Sequence, residues 1–260
     1  MRMPQLLALV ATLIAAVCII SNLAVAAPDA NELLSQAGTA SATGDSAKAV
    51  ALLGEALAQD SSLANAYYLR GREYFRLGKI SESVADFDKF VKLRPDLESR
   101  QWERGIALYY AGEFGRGAKQ FELYQTYHNQ DVENSTWRYL CMARDVGVEK
   151  ARSAMLPIEN DPRIPMMQIY ELYRGQKTPE EVLAAARTGE PAADTLAGRL
   201  FYAHLYLGLY YEAQGDHDAA KKFIILSGDE SLRNSKRING YMWDVAHIHA
   251  EILRRNKKIK

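Results

Sequence analysis

The chain is 260 residues long, 48% hydrophobic and 25% charged, an ordinary globular composition. Its 32 basic and 32 acidic side chains cancel, which weighs against a general nucleic-acid binder, a class that carries a basic excess. The length accommodates one large domain or two small ones.

The first element reads as a leader. Arg2 supplies a positive start, Leu6 to Ile20 is an almost unbroken apolar run, and Ala24-Val25-Ala26 is a small-x-small triplet of the kind signal peptidase reads. Residues 1–26 are therefore expected to be a signal peptide, leaving a mature chain from Ala27 in the periplasm or secreted. The alternatives are an uncleaved anchor and lipidation at Cys18, where Val17 directly before the cysteine is a poor fit. These are the only membrane contacts the sequence suggests, because no later stretch has 18 consecutive apolar residues. With Cys18 in the leader, Cys141 is the one cysteine left, so no intramolecular disulfide is expected. Its spacing from Trp137 and Leu140 marks it as a small buried hydrophobe.

After the leader the chain repeats. Gly44, Gly78 and Gly112 are 34 residues apart, and the same shift pairs Gly71 with Gly105 and Leu53 with Phe87 and Phe121. The clearest copy spans residues 64–97. There Gly71 allows close helix approach, Gly78 ends the first helix, Ser81 starts the second, and Pro95 blocks its continuation. A second copy, 98–131, keeps Gly105, Gly112 and Phe121, and a third, 201–234, keeps Gly208, Tyr211, Gly215 and Ala220. The stretch 30–63 is a worn first copy. Between 132 and 198 the consensus is lost, yet paired short helices remain: Val132–Val146, Glu149–Leu156, Pro165–Tyr173 and Pro179–Arg187, the last with Thr178 as N-cap. Residues 241–255 read as an amphipathic helix capping the stack, with Trp243, Ala246, Ile248 and Leu253 inward. No strand is expected; the fold class is all-α.

A 34-residue period with these landmarks resembles the tetratricopeptide repeat. The resemblance implies a right-handed superhelix of helical hairpins, residues 27–260 forming one repeat domain. The order of landmarks also resembles the NlpI-type family of bacterial envelope lipoproteins. It runs through Trp137-Arg-Tyr-Leu, Ile169-Tyr-Glu-Leu-Tyr-Arg-Gly and Tyr206-Leu-Gly-Leu-Tyr-Tyr to Gly215-Asp216. That likeness implies a homodimeric adaptor that brings peptidoglycan hydrolases to a protease. The family's lipidated cysteine has no well-matched counterpart here.

In such arrays the first helix of each pair lines the concave groove. The partner-binding residues expected there are Asn65, Tyr68, Arg72, Phe75 and Arg76 in one repeat and Trp102, Ile106 and Tyr109 in the next. Aromatic and arginine side chains are the usual anchors of binding surfaces. The competing reading is that Tyr68 and Trp102 are inter-repeat core.

No catalytic residue, metal or cofactor is expected. His247 and His249 lie two apart on one helix and so face different ways, and no phosphate loop or nucleophile elbow is present. The functional expectation is a non-enzymatic scaffold that holds protein or peptide partners. The alternative is a self-associating structural factor of the cell envelope.

Overall fold

A computed structural model describes residues 28–255, and among these it is all-α, without a strand. The leader assigned to residues 1–26, with Cys18, lies outside the described residues. No described helix is long and apolar enough to cross a membrane.

The first hairpin is α1 (Ala30–Ala42) and α2 (Ser46–Gln59), and the second is α3 (Ala64–Arg76) and α4 (Ile80–Leu93). A 3-10 turn at Pro95–Arg100 leads into α5 (Trp102–Tyr110) and α6 (Phe114–Gln125). Then come α7 (Val132–Val146), the short α8 (Val148–Ser153), α9 (Met166–Tyr173) and α10 (Pro179–Arg187). The chain ends with α11 (Ala193–Ala213), α12 (His217–Ser227) and α13 (Gly240–Arg255). Consecutive helices pack on one another, so the hairpins stack as a superhelix.

One turn geometry makes the repeat. At Gly78 the backbone takes φ +68°, its N–H bonds to the Phe75 carbonyl, and Lys79 N–H reaches back to Tyr74. This closes the last turn of α3 in the left-handed conformation that glycine adopts without a Cβ penalty. The same pair of bonds recurs at Gly44, Gly112, Gly175 and Gly215, all at positive φ. Within the hairpins a second glycine permits contact: a Cβ on Gly105 would stand 2.6 Å from the Phe121 ring, and one on Gly208 would stand 2.6 Å from Ile224.

Two helix boundaries differ from the sequence reading. The helix expected over Glu149–Leu156 stops at Ser153, because α7 side chains capture the following carbonyls. Arg138 donates to Ala154 O, and Ser135 Oγ donates to Leu156 O at 2.9 Å. The helix expected to open at Phe201 begins earlier, at Ala193, and runs 21 residues. Its stretch from Phe201 to Leu209 is buried almost all round, making α11 the central post of the main core. Cys141 is fully buried in that core, as a small apolar residue would be, and burial raises its thiol pKa.

Candidate partner-binding face

Helical periodicity places Tyr68, Arg72, Phe75 and Arg76 on one stripe of α3, since i, i+4, i+7 and i+8 share a face. The same rule aligns Trp102, Ile106 and Tyr109 along α5. The structure puts these stripes side by side and lays α13 against them. Tyr241 stacks on Phe75 with centroids 5.1 Å apart, meets Trp102 edge-on at 5.4 Å, and lies under the Arg72 guanidinium at 5.3 Å. One turn further on, Asp244 accepts from Arg76 Nε at 2.7 Å. On the next turn His249 Nδ1 meets the Tyr110 hydroxyl at 2.9 Å, while its Nε2 lies 3.2 Å from Glu212 of α11.

The helix expected to cap the stack packs on α12 before it and also covers the stripes of α3 and α5. With α12 on one side and α3 and α5 on another, every residue from Tyr241 to Ala246 is buried. Trp243, Ala246 and Ile248 are buried as the sequence suggested, with Leu253 half-buried.

The eight predicted residues divide accordingly. Arg72, Phe75, Arg76 and Trp102 touch α13 directly. Tyr68 belongs to the contact between repeats: it packs against Phe87 and Phe90 and donates to Glu103 at 2.7 Å. Ile106 is fully buried, and Tyr109 sits among Tyr110, Phe114 and Trp137, so both are core. Asn65 is exposed and makes none of these contacts. Arg76 is held on its other side by Glu73 at 2.6 Å and Ser41 at 2.9 Å, which ties α1, α3 and α13 into one network. Burial raises the Asp244 and Glu103 pKa values, opposed at Asp244 by the Arg76 charge and at Glu103 by the Tyr68 hydroxyl.

Sequence reasoning missed a second cluster beside this one. Asp131, the N-cap of α7, and Glu133 face Arg163, which donates to Asp131, Glu133 and Asp161 at 2.6 Å each. Tyr206 of α11 donates to Glu133 at 2.8 Å. Burial is the chief cause that pushes the Glu133 carboxyl up to about 7, with the neighbouring Asp131 charge adding to it and Arg163 opposing. The cluster borders a cavity of about 170 Å³ whose wall includes Trp102, Phe121, Trp137 and Met242. Asp131 and Glu133 lie 28 or more residues from Asp161 and Arg163, so only the fold assembles it. Among the described residues, no group of three or more His, Cys, Asp or Glu is placed to hold a metal.

Residues 64–97 match the tetratricopeptide repeat family. This is the segment that contains α3, α4 and the first residues of the 3-10 turn. Among solved structures the chain is similar to YrrB, described as a TPR protein with an unusual peptide-binding site. The two share 18% identity over 86% of this chain and 92% of that one, with a TM-score of 0.43.

Proposed function

We propose that this protein is a non-enzymatic scaffold that binds protein or peptide partners on its concave face. The observation that carries this reading is α13 in the groove: stripes of aromatic and arginine side chains on α3 and α5 grip an extended helical segment through stacked rings and an ion pair. A surface that holds one largely apolar helix has the chemistry to hold a partner's helix or extended segment. Because α13 occupies the Arg72–Phe75–Arg76 stripe, a partner engages the neighbouring face over α5 to α7 or competes with α13. The match of residues 64–97 to a repeat family known for such grooves supports the same conclusion.

The sharper form of the proposal is an adaptor in the bacterial envelope, exported by residues 1–26 and working as a homodimer between peptidoglycan hydrolases and a protease. It rests on the order of landmarks shared with the NlpI-type family. The test is an affinity pulldown from native envelope extract with the full mature chain as bait, beside incubation of the bait alone with cell-wall substrate. Retention of a hydrolase or protease, with no turnover by the bait alone, is the expected result. Turnover by the pure chain, or recovery of nothing but the chain itself, overturns the adaptor reading.

A further inference from the structure

The cavity beside α7 has a composition that the helix-gripping groove does not account for. Its lining combines charged and aromatic groups: Asp131, Glu133 and Arg163 share it with Trp102, Phe121, Tyr124 and Trp137. Arg163 is the local cation, and it is already divided among three carboxylates. Its Nη2 serves Asp131 and Asp161, its Nη1 serves Glu133, and its Nε reaches Asp161 at 2.9 Å. When all three acids are ionised, one guanidinium leaves a surplus of two negative charges. His128, whose Nδ1 is 4.0 Å from Asp131, is exposed and does not line the cavity. Burial is the chief cause of the raised Glu133 pKa, and the neighbouring Asp131 charge adds to it against the pull of Arg163.

Independent of the charge, two residues on the wall hold unanswered polar atoms. Asn134 and Trp137 are 2% and 1% exposed, and neither Asn134 Oδ1 nor Trp137 Nε1 has a hydrogen-bond partner. Buried polar atoms without partners cost stability and are uncommon in native proteins. One is an acceptor lacking a donor and the other a donor lacking an acceptor, which is what a peptide group next to a cation can supply.

We propose that this cavity seats one basic side chain, arginine or lysine, of a partner polypeptide. Asp131 and Glu133 take its charge, and the half-buried Trp102 ring flanks it as a cation–π wall. The size fits: about 170 Å³ is the share of about five or six waters at roughly 30 Å³ each, room for a long side chain and not for a folded element. The chemistry also separates an organic cation from a metal ion, since the described carboxylates do not converge as a ligand set. This inference rests on the reading of the concave face as the partner's seat and names the residue type that the partner must present there.

The test uses the full mature chain with N-acetyl-arginine amide and N-acetyl-lysine amide as probes and N-acetyl-citrulline amide as the uncharged counterpart of the first. Binding is followed by calorimetry and by the indole N–H resonances of the three tryptophans, with Trp243, already bonded to Asp229 O at 3.1 Å, as internal reference. The basic amides are expected to saturate and to shift Trp137, with the citrulline amide at least about tenfold weaker, the difference between charged and neutral hydrogen bonds. Glu133→Gln and Asp131→Asn should each weaken the basic amides by a similar factor. The second keeps a side chain able to cap α7, so a folded variant is available if the first is unstable. Equal binding of the arginine and citrulline amides, or unchanged binding in both variants, overturns the proposal. Because the probes are single residues, that failure leaves the pulldown result for the scaffold reading untouched.

Discussion

Replacing Tyr241 by alanine should cost more stability than any other single change on α13. The ring is fully buried and touches three groove residues, Phe75 at 5.1 Å, Trp102 at 5.4 Å and Arg72 at 5.3 Å. Aromatic-to-alanine changes in cores cost about 3–5 kcal/mol. Two ring pairs, each worth roughly 0.5–1.5 kcal/mol beyond burial, place this one in the upper half of that range, about 4–5 kcal/mol. Tyr241→Phe should behave in the opposite way. The Tyr241 hydroxyl is buried without a hydrogen-bond partner, so its removal relieves a desolvation cost and is expected to be neutral or stabilising by up to about 1 kcal/mol. Urea unfolding followed by circular dichroism measures both. With a slope of roughly 2–3 kcal/mol/M, the alanine midpoint should fall by about 2 M. Hydrogen exchange across 64–76 and 240–255 should quicken together in that variant, because each segment covers the other. An alanine loss below about 1 kcal/mol, the level of an exposed terminal helix, would refute the description of α13 as the cover of the α3 and α5 stripes. A phenylalanine variant as damaged as the alanine one would show that the hydroxyl has a partner.

Two further outcomes can be read from the same unfolding curves. Gly105→Ala drives a Cβ to 2.6 Å from the Phe121 ring and should destabilise by about 1–3 kcal/mol through overpacking. Gly38→Ala, on the exposed side of α1 with nothing within 4 Å, should stabilise by about 0.5–1 kcal/mol; similar effects at both sites would contradict the close-approach argument. Glu133, with Asp131, Arg163 and Tyr206 facing it, has a folded pKa of about 7 against an ordinary 4.5. A raised carboxyl pKa means the neutral form is favoured in the folded state, so its contribution is full below 4.5 and is lost as pH rises through 7. Wild type should therefore lose stability relative to Glu133→Gln across that window, by at most about 1.4 kcal/mol per pH unit. A flat difference curve would remove Glu133 as the cause.

Local rules in the sequence were enough to determine the hairpins. The 34-residue spacing of Gly44, Gly78 and Gly112 marks turns that need a left-handed residue, and the structure closes each turn there with the same pair of bonds. The close helix approach at Gly71 was legible for the same reason, since contacts inside a hairpin span only 16 residues, although its partner Phe87 was not. The stripes Tyr68–Arg76 and Trp102–Tyr109 followed from helical periodicity together with the resemblance to the tetratricopeptide repeat. What covers those stripes did not. Arg76 and Asp244 are 168 residues apart, and Tyr110 and His249 are 139 apart, and no local pattern encodes a pairing at that range. One signal was present: the run from Tyr241 to Ala250 contains too few polar residues for a helix with a wet face. The acidic cavity was hidden further, because Asp131 and Glu133 read as ordinary N-terminal helix charges until Arg163 and Tyr206 are brought against them. Turn chemistry and side-chain period act over a few residues and are written in the sequence. The closing of α13 onto α3 and the gathering of charges around Glu133 depend on the cumulative curvature of the stacked hairpins, which only the tertiary structure decides.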